Sequence, residues 1–163
     1  MQYPEKEIYT ELVTRLKAHD YYFTAEGHTP PAHYDWDREQ YTDAAEVKEY
    51  PFNRPAVFFR FGEMEYQGTS GFSQKGTVPL EVVVVQDKFV DAGDGAANQS
   101  DYLKLLEYKY LINNVLNLFQ GTCFRSLVMT SIETDHDNRN LHVERIRYTI
   151  GVSLVREVIP PEA

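Results

Sequence analysis

Asp135-His136-Asp137 is the one run in this chain with the donor set of a metal site, two carboxylates flanking an imidazole. Such groups ligate Zn²⁺ or Mn²⁺. Three adjacent residues on a turn point in different directions, however, and no second His–Asp pair stands at a matching spacing. A calcium loop fails as well, because Arg139 occupies the next alternate position. The run is expected to be a polar hairpin turn holding no metal, with a small metal-dependent enzyme built on it as the competing reading. His19, His28 and His33 lie in or beside an irregular region without HxxxH or HxH spacing, and His142 sits among strand residues. All four are expected at the surface.

Nucleophilic and phosphate chemistry find no better footing. Gly68-Thr-Ser-Gly71 is the nearest approach to a nucleophile elbow, and it lacks the strand–turn–helix context. Neither a glycine-rich loop ending in Lys-Ser/Thr nor a GxGxxG run is present. The lone Cys123 excludes an intrachain disulfide and, at the start of a strand, reads as a buried thiol. No catalytic residue and no cofactor are expected.

The elements that would position any site are easier to read. Leu105, Tyr108, Ile112, Val115 and Phe119 recur at three-and-four spacing, which predicts a helix over Ser100–Gln120 with Ser100 as N-cap and Gly121 as its stop. Ile8, Leu12, Val13 and Leu16 predict a first helix over Glu5–His19. Strands are expected at Pro55–Tyr66, Thr77–Asp87, Phe124–Thr134 and Leu141–Arg156, the last with Ile146, Tyr148, Ile150 and Val152 alternating with polar residues. Asp20–Asn53 mixes aromatics, acids and Pro30-Pro31 without a sustained period, and is expected to be an irregular arm. Such a long loop is usually functional or packed on a partner. Gln67–Gly76, rich in Gly and Ser, reads as a flexible hairpin tip, and 157–163 as a tail. The expectation is one α+β domain over 1–163, in the order α-β-β-α-β-β. Its sheet is mainly antiparallel and four-stranded, with the long helix on one face.

Charge narrows the partners. The net charge of −9 is uneven: residues 1–50 carry 11 acidic and 5 basic side chains. An acidic surface repels phosphate backbones, so no specific nucleic-acid partner is expected. The apolar run Val82–Val85 is far below the roughly 20 residues needed to cross a bilayer, and Met1–Lys17 has no apolar stretch of the signal-peptide kind. The chain is expected to be soluble and intracellular at synthesis, with no membrane partner. Arg145 and Arg147 share one strand face and are expected to be solvated or ion-paired.

Three stretches carry a family resemblance: His33-Tyr-Asp-Trp-Asp-Arg-Glu-Gln-Tyr41, Tyr50-Pro-Phe-Asn-Arg-Pro-Ala-Val-Phe-Phe59, and Glu133-Thr-Asp-His-Asp-Asn-Arg-Asn140 with the strand through Tyr148. From about Glu5 to Leu154 the chain resembles the tail-completion, or tail-terminator-like, proteins of long-tailed bacteriophages and prophages, particularly those of Bacteroidetes elements. The resemblance implies a small α+β protein without catalytic residues, which forms a ring where tail meets head or caps the tail tube. It also implies copies of itself and tail-tube or head–tail connector proteins as partners. Its place would be the host cytoplasm during synthesis and the virion once assembled. Subunit-interface candidates are then Gly68, Ser70, Gly71, Phe72 and Lys75 of the hairpin, Trp36 and Tyr41 of the arm, and Arg145 and Arg147. A binding adaptor unrelated to phage, gripping a peptide or glycan with the aromatic arm, is a further alternative.

Overall fold

Leu12 and Ile112, from helices far apart in sequence, meet on the same face of one sheet. A computed structural model describes residues 4–42, 50–67, 73–88, 99–136, 138, 140–155 and 161. The chain runs α1 (Pro4–Ala18), α2 (Asp20–Ala25), β1 (His33–Trp36), β2 (Ala56–Phe61), β3 (Glu65–Gln67), β4 (Ser73–Asp87), α3 (Gln99–Leu116), β5 (Phe124–Asp135) and β6 (Leu141–Val155). The strand order is β1-β2-β4-β6-β5, with β3 pairing β4. β1 lies parallel to β2, while the other pairings are antiparallel. The α+β class therefore holds, but the sheet is mixed and six-stranded, not antiparallel and four-stranded.

Alternation along the central strands explains the layers. Val78, Leu80, Val82 and Val84 of β4, with Ile146, Tyr148, Ile150 and Val152 of β6, face the three helices and form the main core with Ile8, Leu12, Leu16, Phe23, Tyr108, Ile112 and Val115. The intervening Val83, Val85 and Val143 point to the opposite face, which we call the back. β2 is buried on both faces, as its mixed apolar pattern predicts.

The expected strand Pro55–Tyr66 divides into β2 and β3, and Pro79 explains the break. Proline has no N–H to give the neighbouring strand. The chain opposite it leaves the ladder at Gly62, whose amide donates to the Pro79 carbonyl at 2.8 Å. A Cβ on Gly62 would lie 2.4 Å from the proline ring, so the close approach requires glycine.

The arm is not irregular throughout. It contains α2 and β1, and Tyr41, Tyr50 and Phe52 then cover the back-face core of Ala56, Phe58, Val83, Val85, Leu141 and Val143. Its aromatics are the second wall of the fold.

The long helix also ends early. Ser100 lies inside its first turn, and the helix stops at Leu116. Leu118, at φ 64°, makes the left-handed turn expected of Gly121. Gly121 serves a different need: a Cβ there would fall 1.8 Å from Glu11 Oε2 and 2.0 Å from the Phe124 ring. Phe119 lies beyond the helix and is half-buried, edge-on to Phe124 and beneath the Arg15 guanidinium. Ile112→Ala should cost about 2–5 kcal/mol, since it empties a fully buried site. Phe119→Ala should cost distinctly less, and chemical denaturation of the two variants measures the difference.

Candidate assembly surface

The back face has three zones. At one end the arm covers the small apolar core. Tyr41 belongs there at 2 % exposure, so it is no surface contact. Its hydroxyl donates to Asp37, and the Arg145 guanidinium sits 5.9 Å from its ring. The middle zone is a lattice of charges running across the strands. Arg145 pairs with Asp135 at 3.0 Å and Glu81 at 3.5 Å, while Arg147 pairs with Glu81 at 3.1 Å and Glu133 at 2.8 Å. Arg60 of β2 meets Asp37 at 3.3 Å and Glu39 at 3.5 Å. Arg145 and Arg147 are therefore ion-paired. At the far end Lys75, exposed opposite Ser153, lines a cleft of about 370 Å³ with Thr77, Arg125 and Gly151. Gly68, Ser70, Gly71 and Phe72 lie outside the described residues.

The sheet ends in two strands of different character. At one edge β1 is four residues long, and Trp36, 38 % exposed, stacks on Tyr9 with ring centroids 4.4 Å apart. At the other edge β5 runs for 12 residues. The segment after α3 closes its first part: Leu118 N donates to Leu127 O, Leu127 N to Phe119 O, and Met129 N to Asn117 Oδ1. Beyond the bulge between Met129 and Ser131, no backbone hydrogen bond reaches the outer side of Ser131–Thr134 among the described residues. Leu118, Val128 and Met129 are all exposed beside this edge.

Behind the surface lies a buried charge cluster that the alternation concealed. Glu144 shares the phase of Ile146 and Tyr148, and faces α3 with no exposure. Lys109 Nζ lies 3.0 Å from Glu144 Oε1, and His142 Nε2 donates to the same oxygen at 2.8 Å. Thr134 Oγ1 donates to the other oxygen at 2.7 Å. Burial alone would raise this carboxyl's pKa, but the bonds from His142, Thr134 and Lys109 outweigh it and hold the group below its ordinary value. His142, expected at the surface, is buried because it belongs to this cluster. His28 is also turned inward, against Glu107 at 3.1 Å. The available signal was a Glu at a core-facing strand position together with a Lys on the helix above it.

The Asp135-His136-Asp137 run is divided between different tasks. Asp135 is engaged by Arg145, His136 is exposed, and Asp137 lies outside the described residues. Among the described residues of this turn Asn138 is buried: its Nδ2 donates to the Tyr41 carbonyl at 2.7 Å, and its Oδ1 accepts from Leu141 N at 2.8 Å. The turn is thereby tied to the arm. Cys123 is buried as expected, and burial, then the neighbouring Glu7, pushes its thiol up to about 12.

The fold recurs in a virion. A solved chain from the virion of a native gene transfer agent particle matches with a TM-score of 0.51, covering 95 % of this chain and 100 % of that chain. At 12 % identity the likeness is one of fold. No family model and no curated protein matches the sequence.

Glu144→Gln should cost about 3–5 kcal/mol, because it leaves the Lys109 ammonium buried without its counter-charge. The wild-type carboxyl's folded pKa is depressed, so its contribution is complete above the unfolded value near 4.5 and lost as pH falls through the folded value. Denaturation across acidic pH should show a slope in the wild type that flattens in the variant. The Cys123 thiol should resist alkylation at pH 8 in the native protein and react once denaturant exposes it.

Proposed function

We propose that this protein is a structural subunit of a phage-type virion, which completes the tail or joins tail to head by assembling with copies of itself into a ring. The shared fold with a chain from a gene transfer agent virion, across nearly the whole length of both, carries the virion role. The three resembling segments support the narrower role in tail completion. One of them contains β1, another leads into β2, and the third forms the β5–β6 turn, so they mark parts that shape the sheet.

In this reading the protein works by contact and does no catalysis. Its charged groups are engaged with one another: Asp135 with Arg145, and Glu144 with Lys109 and His142. Trp36, Lys75, Arg145 and Arg147 meet neighbouring subunits or tail-tube and connector proteins, together with Gly68, Ser70, Gly71 and Phe72 of the hairpin. Tyr41 contributes from inside, by packing beneath Arg145. The protein is made in the host cytoplasm and ends in the virion.

The hairpin tests this directly. Replacing residues 68–74 by a two-residue Asn-Gly turn keeps the Gln67–Lys75 pair and should preserve a cooperative melt, because that turn closes a two-residue hairpin well. It should weaken co-assembly with tail-tube protein, read by co-sedimentation, and reduce tail joining in complementation. A shortened variant that joins tails normally removes the hairpin from the interface. A wild-type protein that associates with no tail or connector component sinks the virion reading.

A further inference from the structure

A ring brings together copies that each carry a net charge of −9, so its contacts favour cations of one copy set against acids of the next. We infer that the cleft at the base of the hairpin, through Lys75 and Arg125, receives α2 of a second copy, through Asp20 and Glu26. This rests on the ring reading above and names the contact that would build it.

The cleft is shaped by sequence and open to negative charge. Along the back face of β6 the side chains taper from Arg145 and Arg147 to Thr149, Gly151 and Ser153, and the cleft opens where they become small. Lys75 and Thr77 share the phase of Val83 and Val85, so they rise from the same face on β4. Across β6 the stem of Arg125 lies against Gly151, where a Cβ would sit 3.4 Å from both its Cβ and its Cδ. In the neighbouring lattice Arg145 and Arg147 have their carboxylates. Lys75 and Arg125 have no ion pair or hydrogen bond from their side chains among the described residues. Glu65 of β3 also lines the cleft, and the two cations outweigh it.

α2 supplies the matching charge. Asp20 opens this short helix and Glu26 stands at its C-terminal cap. Both are exposed, and neither carboxylate has an ion pair or hydrogen bond among the described residues. Tyr21 beside them is 69 % exposed, the highest value among the large apolar side chains described. Tyrosine in such a setting is enriched at protein contacts.

The two patches lie at opposite corners of the molecule. The cleft is on the back face, at the end of β4 where Lys75 and Thr77 stand. α2 is on the helix side, with Phe23 in the main core, and the chain after it runs beside Gln86 and Asp87 at the other end of β4. One copy therefore cannot close the contact on itself. A contact between unlike patches repeats from copy to copy and forms a ring where the rotation closes. Joining cleft to cleft, or α2 to α2, would set like charges together.

Three variants of the full chain test this: Lys75→Glu with Arg125→Glu, Asp20→Lys with Glu26→Lys, and all four changes together. Self-association is measured by sedimentation, alone and with tail-tube protein, after a thermal melt confirms folding. Each reversed pair should weaken association about tenfold, and the fourfold variant should restore it. In the wild type, carbodiimide coupling should join the Lys75 amine to Asp20 or Glu26 of a second copy, read by mass spectrometry of the cross-linked oligomer. Association that ignores the reversals, a fourfold variant as weak as either pair, or coupling of Lys75 to other carboxylates alone overturns the contact while leaving the ring reading intact. A wild type that self-associates neither alone nor on tail-tube protein overturns both.

Discussion

Both faces of the β2–β4 pair must be dry, and most of the architecture follows from that requirement. Val82–Val85 form an unbroken apolar run on a central strand, and Phe58 and Phe59 point to opposite sides of β2. A sheet with one wet face would leave Val83, Val85 and Phe58 in water. The three helices close one side. The other side is closed by the arm, whose Tyr41 and Phe52 turn inward and whose backbone is fastened by Asn138 of the distant β5–β6 turn.

Charge is distributed according to the same division. On the back face, beside the arm and joined to it through Asp37 and Glu39, arginines and carboxylates alternate across four strands and neutralise one another. Such pairs contribute modestly to stability, each on the order of 1 kcal/mol or less. Their larger effect is to define a flat polar plateau with fixed geometry. On the helix side a charge cluster is buried at Glu144. It survives burial because Glu144 receives bonds from three partners, so the desolvation of its carboxylate is compensated in place.

Periodicity made the long elements legible. α1 and α3 kept their apolar stripes, and β4, β5 and β6 fell within a few residues of the alternating runs. What escaped was decided by contacts distant in sequence. Tyr34 and Trp36 do alternate with His33 and Asp35, but four residues are too few to separate a strand from a loop. The split at Gly62 depends on Pro79, seventeen positions away. Leu118 took the left-handed turn, against the local preference for Gly121, because the chain there must run back along β5. The candidate surface was legible in part: Arg145 and Arg147 do share the exposed face and Trp36 is at an edge, whereas Tyr41 is consumed by the interior. Glu144 and His142 were hidden because their polarity reads as outward while their phase is inward.

The long ladder between β4 and β6 has a consequence for how the chain is made. Its fifteen pairs join Ser73–Asp87 to Leu141–Val155, so even the nearest partners are 54 residues apart. At roughly 5–20 residues per second of translation, β4 waits roughly 3–10 s for the first residue of its partner. During that interval a strand apolar on both faces has β2 beside it on one edge and an unfilled ladder on the other. α3 emerges in the meantime and can shield the helix side, but the back and the open edge depend on segments brought together by the whole chain. The most extensive pairing among the described residues thus cannot form until β6 has been made. Its exposure to misassembly belongs to the nascent polypeptide rather than to the finished protein.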